Sequence, residues 1–273
     1  MRLAFFGDVI GKPGRDALST HLPALRRRLG LDFVVINAEN AAAGFGITER
    51  TAQDLFEAGA DCLTLGNHSW DQREALTYIE REPRLLRPVN YPKLSRAPGR
   101  GAYVYETAKG ARVLVVSVLG RVHMDALDDP FSAADKALED APLGVAVDAV
   151  IVDMHCEATS EKMAMGHFCD GRASLVIGTH THVPTADAQV LPGGTAFQTD
   201  AGACADYDSV IGMNKHISVA RFASRLPGER QTPATGPATV CGVMVETDDR
   251  TGLALRIEPI RVGGRLRSAL PDV

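Results

Sequence analysis

The sequence predicts an α/β protein with helices on both faces of its sheet. Short apolar runs recur along the chain, stretches of helical period separate them, and Gly, Asn, Asp or His bounds nearly every run.

Taken in order, residues 3–6 form the first run, apolar and ended by Gly7-Asp8. Residues 15–29 carry Leu18, Leu22, Leu25 and Leu29 at helical spacing, and Pro23 within them predicts a kink or a break into two helices. Residues 33–36 are a β-branched run. Thr48 is the expected N-cap of a helix over 49–57, with Gly59 as its stop. Residues 62–65 read as the third buried strand. Residues 103–107 and 113–118 flank a turn at Lys109-Gly110, a hairpin that makes the sheet mixed. A helix over 132–140, a strand over 149–152, a helix over 161–169 closed by Gly171 and a strand over 175–177 come next. A second hairpin joins 239–246 to 253–261. Between roughly Asp200 and Pro237 the pattern weakens, which predicts a long ordered loop or a contact in a homo-oligomer. Without repeats or low-complexity tracts, one domain over residues 1–273 is expected.

Composition narrows the function. With 45% hydrophobic residues the chain can bury a large core, and a formal charge of -5 gives no field for non-specific nucleic-acid binding. Five scattered cysteines without a CxxC pair read as reduced thiols, and no signal-peptide or membrane-span pattern is visible, so a cytoplasmic protein without a membrane partner is expected.

The residues at the end of each run are informative. The strands end in Asp8, in Glu39-Asn40, in Asn67-His68, in His155 and in His180-Thr181-His182. Ligands of open α/β sheets bind outside the carboxyl ends of the strands, so these donors are expected at one edge. Alternate residues of extended chain point the same way, which brings the imidazoles of His180 and His182 together. Three imidazoles, two carboxylates and an amide, with no thiolate, suit manganese, iron or zinc better than calcium or magnesium. Two such ions about 3.5–4 Å apart can share a carboxylate.

The blocks Gly7-Asp8-Val9-Ile10-Gly11, Asn37-Ala38-Glu39-Asn40, Gly66-Asn67-His68, Asp153-Met154-His155 and Gly178-Thr179-His180-Thr181-His182 resemble the five motifs of the calcineurin-like metallophosphoesterases. The chain is most similar to their YmdB-like bacterial branch, where Ile10 replaces a motif histidine and Glu39 a motif aspartate. The resemblance implies a calcineurin-like sandwich of mixed β-sheets flanked by helices. It also implies a dinuclear site: Asp8 and His182 on one ion with Asn40 nearby, Asn67, His155 and His180 on the other, and Glu39 as the bridge. His68 and Asn67 would be the catalytic pair, His68 protonating the departing oxygen and Asn67 touching a phosphate oxygen.

The reaction so implied is phosphodiester hydrolysis of a small cyclic nucleotide, 2′,3′- or 3′,5′-linked, by a metal-bridging hydroxide with iron, manganese or zinc as the metal. A poor alkoxide leaving group needs a proton, and histidine is the residue type suited to supply it near neutral pH. The same site could serve a phosphomonoesterase, or a metal-bearing regulatory protein with little turnover. His21, His123, His167 and His216 are read as structural. Trp70 is expected to pack rather than stack on a base, and Arg121 and Arg172 to form surface ion pairs.

Overall fold

The computed structural model describes residues 1–272. In its first half lie β1 (Arg2–Phe6), α1 (Gly11–Leu29), β2 (Phe33–Asn37), α2 (Glu49–Ala58), β3 (Cys62–Thr64), α3 (Ala75–Arg81), β4 (Leu85–Leu86), β5 (Ala102–Glu106), β6 (Arg112–Leu119) and α4 (Pro130–Asp140). The second half adds β7 (Ala149–His155), α5 (Thr159–Phe168), β8 (Leu175–Thr179), β9 (Gln189–Val190), β10 (Ala196–Gln198), β11 (Ala205–Asp206), α6 (Lys215–Ser224), β12 (Ala238–Thr247) and β13 (Ala254–Val262).

Two mixed sheets stack face to face. The first runs β11-β12-β1-β2-β3-β4, with β13 also paired to β12; β1 to β4 are parallel and β12 is antiparallel to β1. In the second, β5-β6-β7-β8-β10-β9, a parallel centre is closed by antiparallel edges at β5 and β9. The period-two alternation of each strand feeds two cores at once. Leu3 and Phe5 of β1 meet Val113, Val115 and Ile151 of the second sheet in the central core. Ala4 and Phe6, one residue out of phase, pack under Leu18, Leu22 and Leu55 of the outer helices. On the other flank, Val116, Val150 and Met154 lie against Ala134, Leu138 and Met165 of α4 and α5. Strands buried on both faces must be apolar throughout, hence the unbroken runs in the sequence. The sandwich of mixed sheets flanked by helices is the architecture expected from the sequence.

Two expectations need correction. Of the kink or break expected at Pro23, the break does not occur: α1 is one helix from Gly11 to Leu29, starting before residue 15. Leu18 and Leu22 before the proline, and Leu25 and Leu29 after it, are all buried on the sheet. At about 1.5–3 kcal/mol each, that burial outweighs the roughly 3 kcal/mol cost of an internal proline. The span from Asp200 to Pro237 is no plain loop, since it contains β11 and α6. Asn214 caps α6 by accepting from the backbone N–H groups of His216 and Ile217. Only Ser218 of α6 is buried, so the helix has no apolar stripe to betray it in the sequence. By contrast, Thr48 and Thr51 form the reciprocal cap of α2 and Gly59 ends it in the left-handed region, as the sequence predicts.

Candidate metal centre

The carboxyl ends of β1, β2 and β3 from one sheet meet those of β7 and β8 from the other. Gly66 after β3 makes room for the meeting, because a Cβ there would stand 2.3 Å from His155 Nε2 and 2.4 Å from Glu39 Oε2. Two donor sets result, Asp8-Glu39-His182 and Glu39-His155-His180, each with its ligand atoms all within 4.8 Å of one another. Glu39 belongs to both. Asn67 joins the second set through Oδ1, 2.9 Å from His155 Nε2. Asn40 borders the first, its Nδ2 being 3.3 Å from His182 Nε2 and donating to Glu39 Oε1 at 3.2 Å. With His68, whose backbone N–H reaches Glu39 Oε2, all eight residues singled out in the sequence are gathered at one place.

Hydrogen bonds behind the donors fix which atoms face inward. His182 Nδ1 donates to the Ile211 carbonyl at 2.8 Å, which leaves Nε2 a lone pair toward Asp8 Oδ1, 3.7 Å away. Thr179 Oγ1 donates to Asp153 Oδ1 at 2.7 Å, so it accepts from His155 Nδ1 at 2.8 Å, and Nε2 of His155 is turned to Glu39 Oε1 at 3.2 Å. His180 presents Nδ1, 3.1 Å from His155 Nε2, while its Nε2 reaches Glu157 Oε2 at 3.2 Å. Asp153, buried, also accepts from Asn37 Nδ2 at 3.0 Å and Thr64 Oγ1 at 2.5 Å. His68 donates its backbone N–H to Glu39 Oε2 at 3.1 Å, and its Nδ1 bonds Asp71 Oδ2 at 2.8 Å.

Burial of so many ionisable groups shifts them. Burial pushes the Asp8 carboxyl up to about 6, against the pull of His182 and His155. Burial would raise Glu39 too, but His155 and the backbone N–H of His68 hold it well below the usual range. His155 is disfavoured as a cation by burial, yet Glu39 and Asp8 raise it above ordinary histidine. Burial and the neighbouring His155 push His180 down to about 3. Burial likewise raises Asp153. The centre gathers buried carboxylates and imidazoles whose charges are strongly interdependent.

The chemistry of the set fits metal ions. Asp8 Oδ1 is buried and, among the described residues, has no hydrogen-bond partner. A carboxylate oxygen left so costs about 1–3 kcal/mol or more, which a coordinated cation removes. The donors are nitrogen and oxygen, and the five cysteines are buried elsewhere as free thiols.

A cleft of about 520 Å³ opens onto the donors. His68, Phe45, Ile211, Met213, Arg221 and Phe222 are among the residues that line it. The last four come from the span whose role the sequence left open. Sequence reasoning assigned no role to Asp153, Glu157 or Thr179. Asp153 did leave a signal, since it lies two residues before His155 on one strand and hence on the same face. Trp70 packs with Tyr91 at 5.9 Å between centroids rather than lining the cleft. Arg121 and Arg172 form ion pairs with Asp129 and Asp135, as expected. His21, His123, His167 and His216 stand apart from both donor sets.

A family model described as "YmdB-like protein" matches residues 4–260. The chain is 44% identical over 262 residues to a 2′,3′-cyclic-nucleotide 2′-phosphodiesterase of Bacillus subtilis (strain 168), covering 96% of this chain and 97% of that protein. Among solved structures it is similar to a hypothetical protein from Thermus thermophilus, with TM-score 0.89, 43% identity, and 97% and 100% of the two chains covered. It is also similar to a phosphatase of Mycoplasma pneumoniae, with TM-score 0.89, 34% identity, and 96% and 93% covered. A model matched along nearly the whole chain, together with relatives at these identities, shows that the chain belongs to the YmdB-like family.

Proposed function

We propose that the chain hydrolyses 2′,3′-cyclic nucleotides at a dinuclear metal site. As a member of its family it is a phosphoric ester hydrolase. The observation that carries the finer reading is the membership of Glu39 in both donor sets, which suits a carboxylate shared by two ions. Asp8, His182 and the adjacent Asn40 would hold one ion, and Asn67, His155 and His180 the other, with iron or manganese matching the donors. Such a pair supplies water of lowered pKa and offsets charge gathering on the phosphoryl oxygens.

The chain's own groups do the rest. His68 lies at the cleft wall, held through Nδ1 by Asp71, with Nε2 as its remaining proton-carrying position. In ring opening the hydroxyl of water bonds to phosphorus as the P–O2′ bond breaks, His68 gives its proton to the departing O2′, and the proton lost by the water restores that of His68 through solvent. The product is a phosphomonoester still attached at O3′. Asn67 would touch a phosphate oxygen. Phe45, Ile211, Met213 and Phe222 offer apolar surface to ribose and base as they extend from the buried donors toward solvent.

The test is turnover of 2′,3′-cyclic AMP, 3′,5′-cyclic AMP and p-nitrophenyl phosphate with manganese added, for wild type and Glu39→Gln. Turnover of the 2′,3′-cyclic diester above the other two, abolished in the variant, is the expected result. Faster turnover of the monoester would replace this reading with a phosphomonoesterase. No turnover by metal-loaded protein would favour a binding role.

A further inference from the structure

We infer that the buried Lys162–Asp200 pair is a positioning device that clamps Thr181 so that His180 and His182 reach the two donor sets at once. The inference rests on the metal reading above and concerns two residues that touch none of the donor atoms.

The segment has an unusual backbone. His180 and His182 both adopt positive φ, +91° and +65°. Outside glycine such a conformation costs of order 1–3 kcal/mol per residue and persists only where surrounding contacts dictate it. The alternation expected of an extended His-x-His is therefore not what aims these rings. With Thr181 between two left-handed residues, one imidazole goes to the His155 set and the other to the Asp8 set.

The flanking residues are held by the His180 N–H donating to Asp8 Oδ2 at 3.2 Å and by the His182 carbonyl accepting from Ala203 N–H at 3.2 Å and Tyr207 Oη at 3.1 Å, while the contacts on Thr181 between them converge on Asp200. Its Oδ2 accepts from the Thr181 backbone N–H at 3.1 Å, from Thr181 Oγ1 at 2.6 Å and from Lys162 Nζ at 2.7 Å. Its Oδ1 accepts from Gly202 N–H at 2.8 Å. The Asp200 backbone is itself tied down, its N–H donating to Thr185 Oγ1 at 2.9 Å and its carbonyl accepting from Gln198 Nε2 at 2.6 Å. Both charged side chains are fully buried. Lys162 comes up from α5 past Gly178, where a Cβ would stand 2.6 Å from Lys162 Cδ. A glycine immediately before Thr179 thus leaves the passage through which the ammonium reaches the underside of the histidine segment.

A buried ion pair is a weak stabiliser, since well-packed apolar residues of like volume often serve as well or better. What apolar residues cannot do is grip a backbone N–H and a hydroxyl together. Asp200 does that, and Lys162 offsets the negative charge that the grip requires. The pair also adds no net charge beside a pocket built for cations.

The experiment is manganese binding, measured as ions retained per chain and as Kd by equilibrium dialysis. It compares wild type with Asp200→Asn and with the charge-free double variant Lys162→Met/Asp200→Asn, with circular dichroism as the check on folding. Groups behind metal ligands typically govern affinity by about 10–100-fold. Both folded variants are expected to lose affinity in that range, and to lose it for both ions, because His180 and His182 serve different sets. If either variant binds two ions as tightly as wild type, the pair is ordinary packing and the inference falls. Should both variants fail to fold, Thr181→Ala and Thr181→Ser make the same comparison. Loss with alanine and recovery with serine supports the clamp, while equal binding by both overturns it. Failure of the wild type to bind two ions would overturn the metal reading itself, a separate result.

Discussion

Glu39 Oε1 lies 3.2 Å from His155 Nε2, although one residue follows β2 of the first sheet and the other ends β7 of the second. The centre is therefore a seam between sheets, and its geometry depends on how closely their ends approach. Gly66 sets that approach. Gly66→Ala would drive a methyl into His155 and Glu39. The expected outcome is a folded protein by circular dichroism whose manganese affinity falls at least about tenfold. Retained affinity would show that the seam can widen without harm.

His68 and Asp71 should separate proton transfer from metal binding. His68→Ala is expected to lower kcat by about 10²–10⁴ with manganese content unchanged. Asp71→Asn keeps the imidazole but weakens the hydrogen bond at Nδ1, and about a tenfold loss is expected from it. Steady-state kinetics on 2′,3′-cyclic AMP with elemental analysis of both variants would check this. Metal loss in His68→Ala would make His68 a structural support instead.

The stranded Asp8 Oδ1 leads to a stability prediction. A ligand that binds only the folded state adds about 2.7 kcal/mol when present at a hundred times its Kd. For a chain of this size that is roughly 5–10 °C in Tm per ion. Thermal unfolding with manganese and after chelation should differ by at least that amount, the loaded form melting higher. Equal melting temperatures would mean that the pocket binds no cation strongly.

Away from the site, Glu82 gives stability a pH dependence of definite sign. Arg84 holds its carboxylate with Nε at 2.9 Å and Nη2 at 2.7 Å, and these hydrogen bonds keep it below the usual glutamate value. A carboxyl whose folded-state pKa is depressed stabilises above its unfolded value, and that contribution fades as pH falls through the folded value. Glu82→Gln should thus be less stable by about 1 kcal/mol near neutral pH, with the gap closing as pH falls below the ordinary glutamate range. Urea unfolding across that range reads it, and a gap that widens in acid would contradict the assignment.

Phe222 is 76% exposed at the mouth of the cleft. Phe222→Ala should raise KM for a cyclic nucleotide severalfold with kcat nearly unchanged, as expected where contact is made with ribose or base and equally in ground and transition states. An unchanged KM would remove this face of α6 from substrate binding.

Local sequence alone specifies the buried strands, the capped helix α2, and the eight residues that meet at the centre. β-Branched apolar runs fill strands buried on both faces, Thr48 and Gly59 punctuate a helix, and polar donors at strand ends mark a sheet edge. Long-range packing settled what local pattern does not encode. Leucines on both sides of Pro23 kept α1 whole, because burial on the sheet outweighs one missing hydrogen bond. Asp200 lies 18 positions beyond His182, in a weakly patterned span, where nothing in the sequence distinguishes it from any other aspartate. The seam arose in the same way. Glu39 and His155 are 116 positions apart, and only the stacking of two sheets, driven by non-directional burial of their inner faces, brings them into contact.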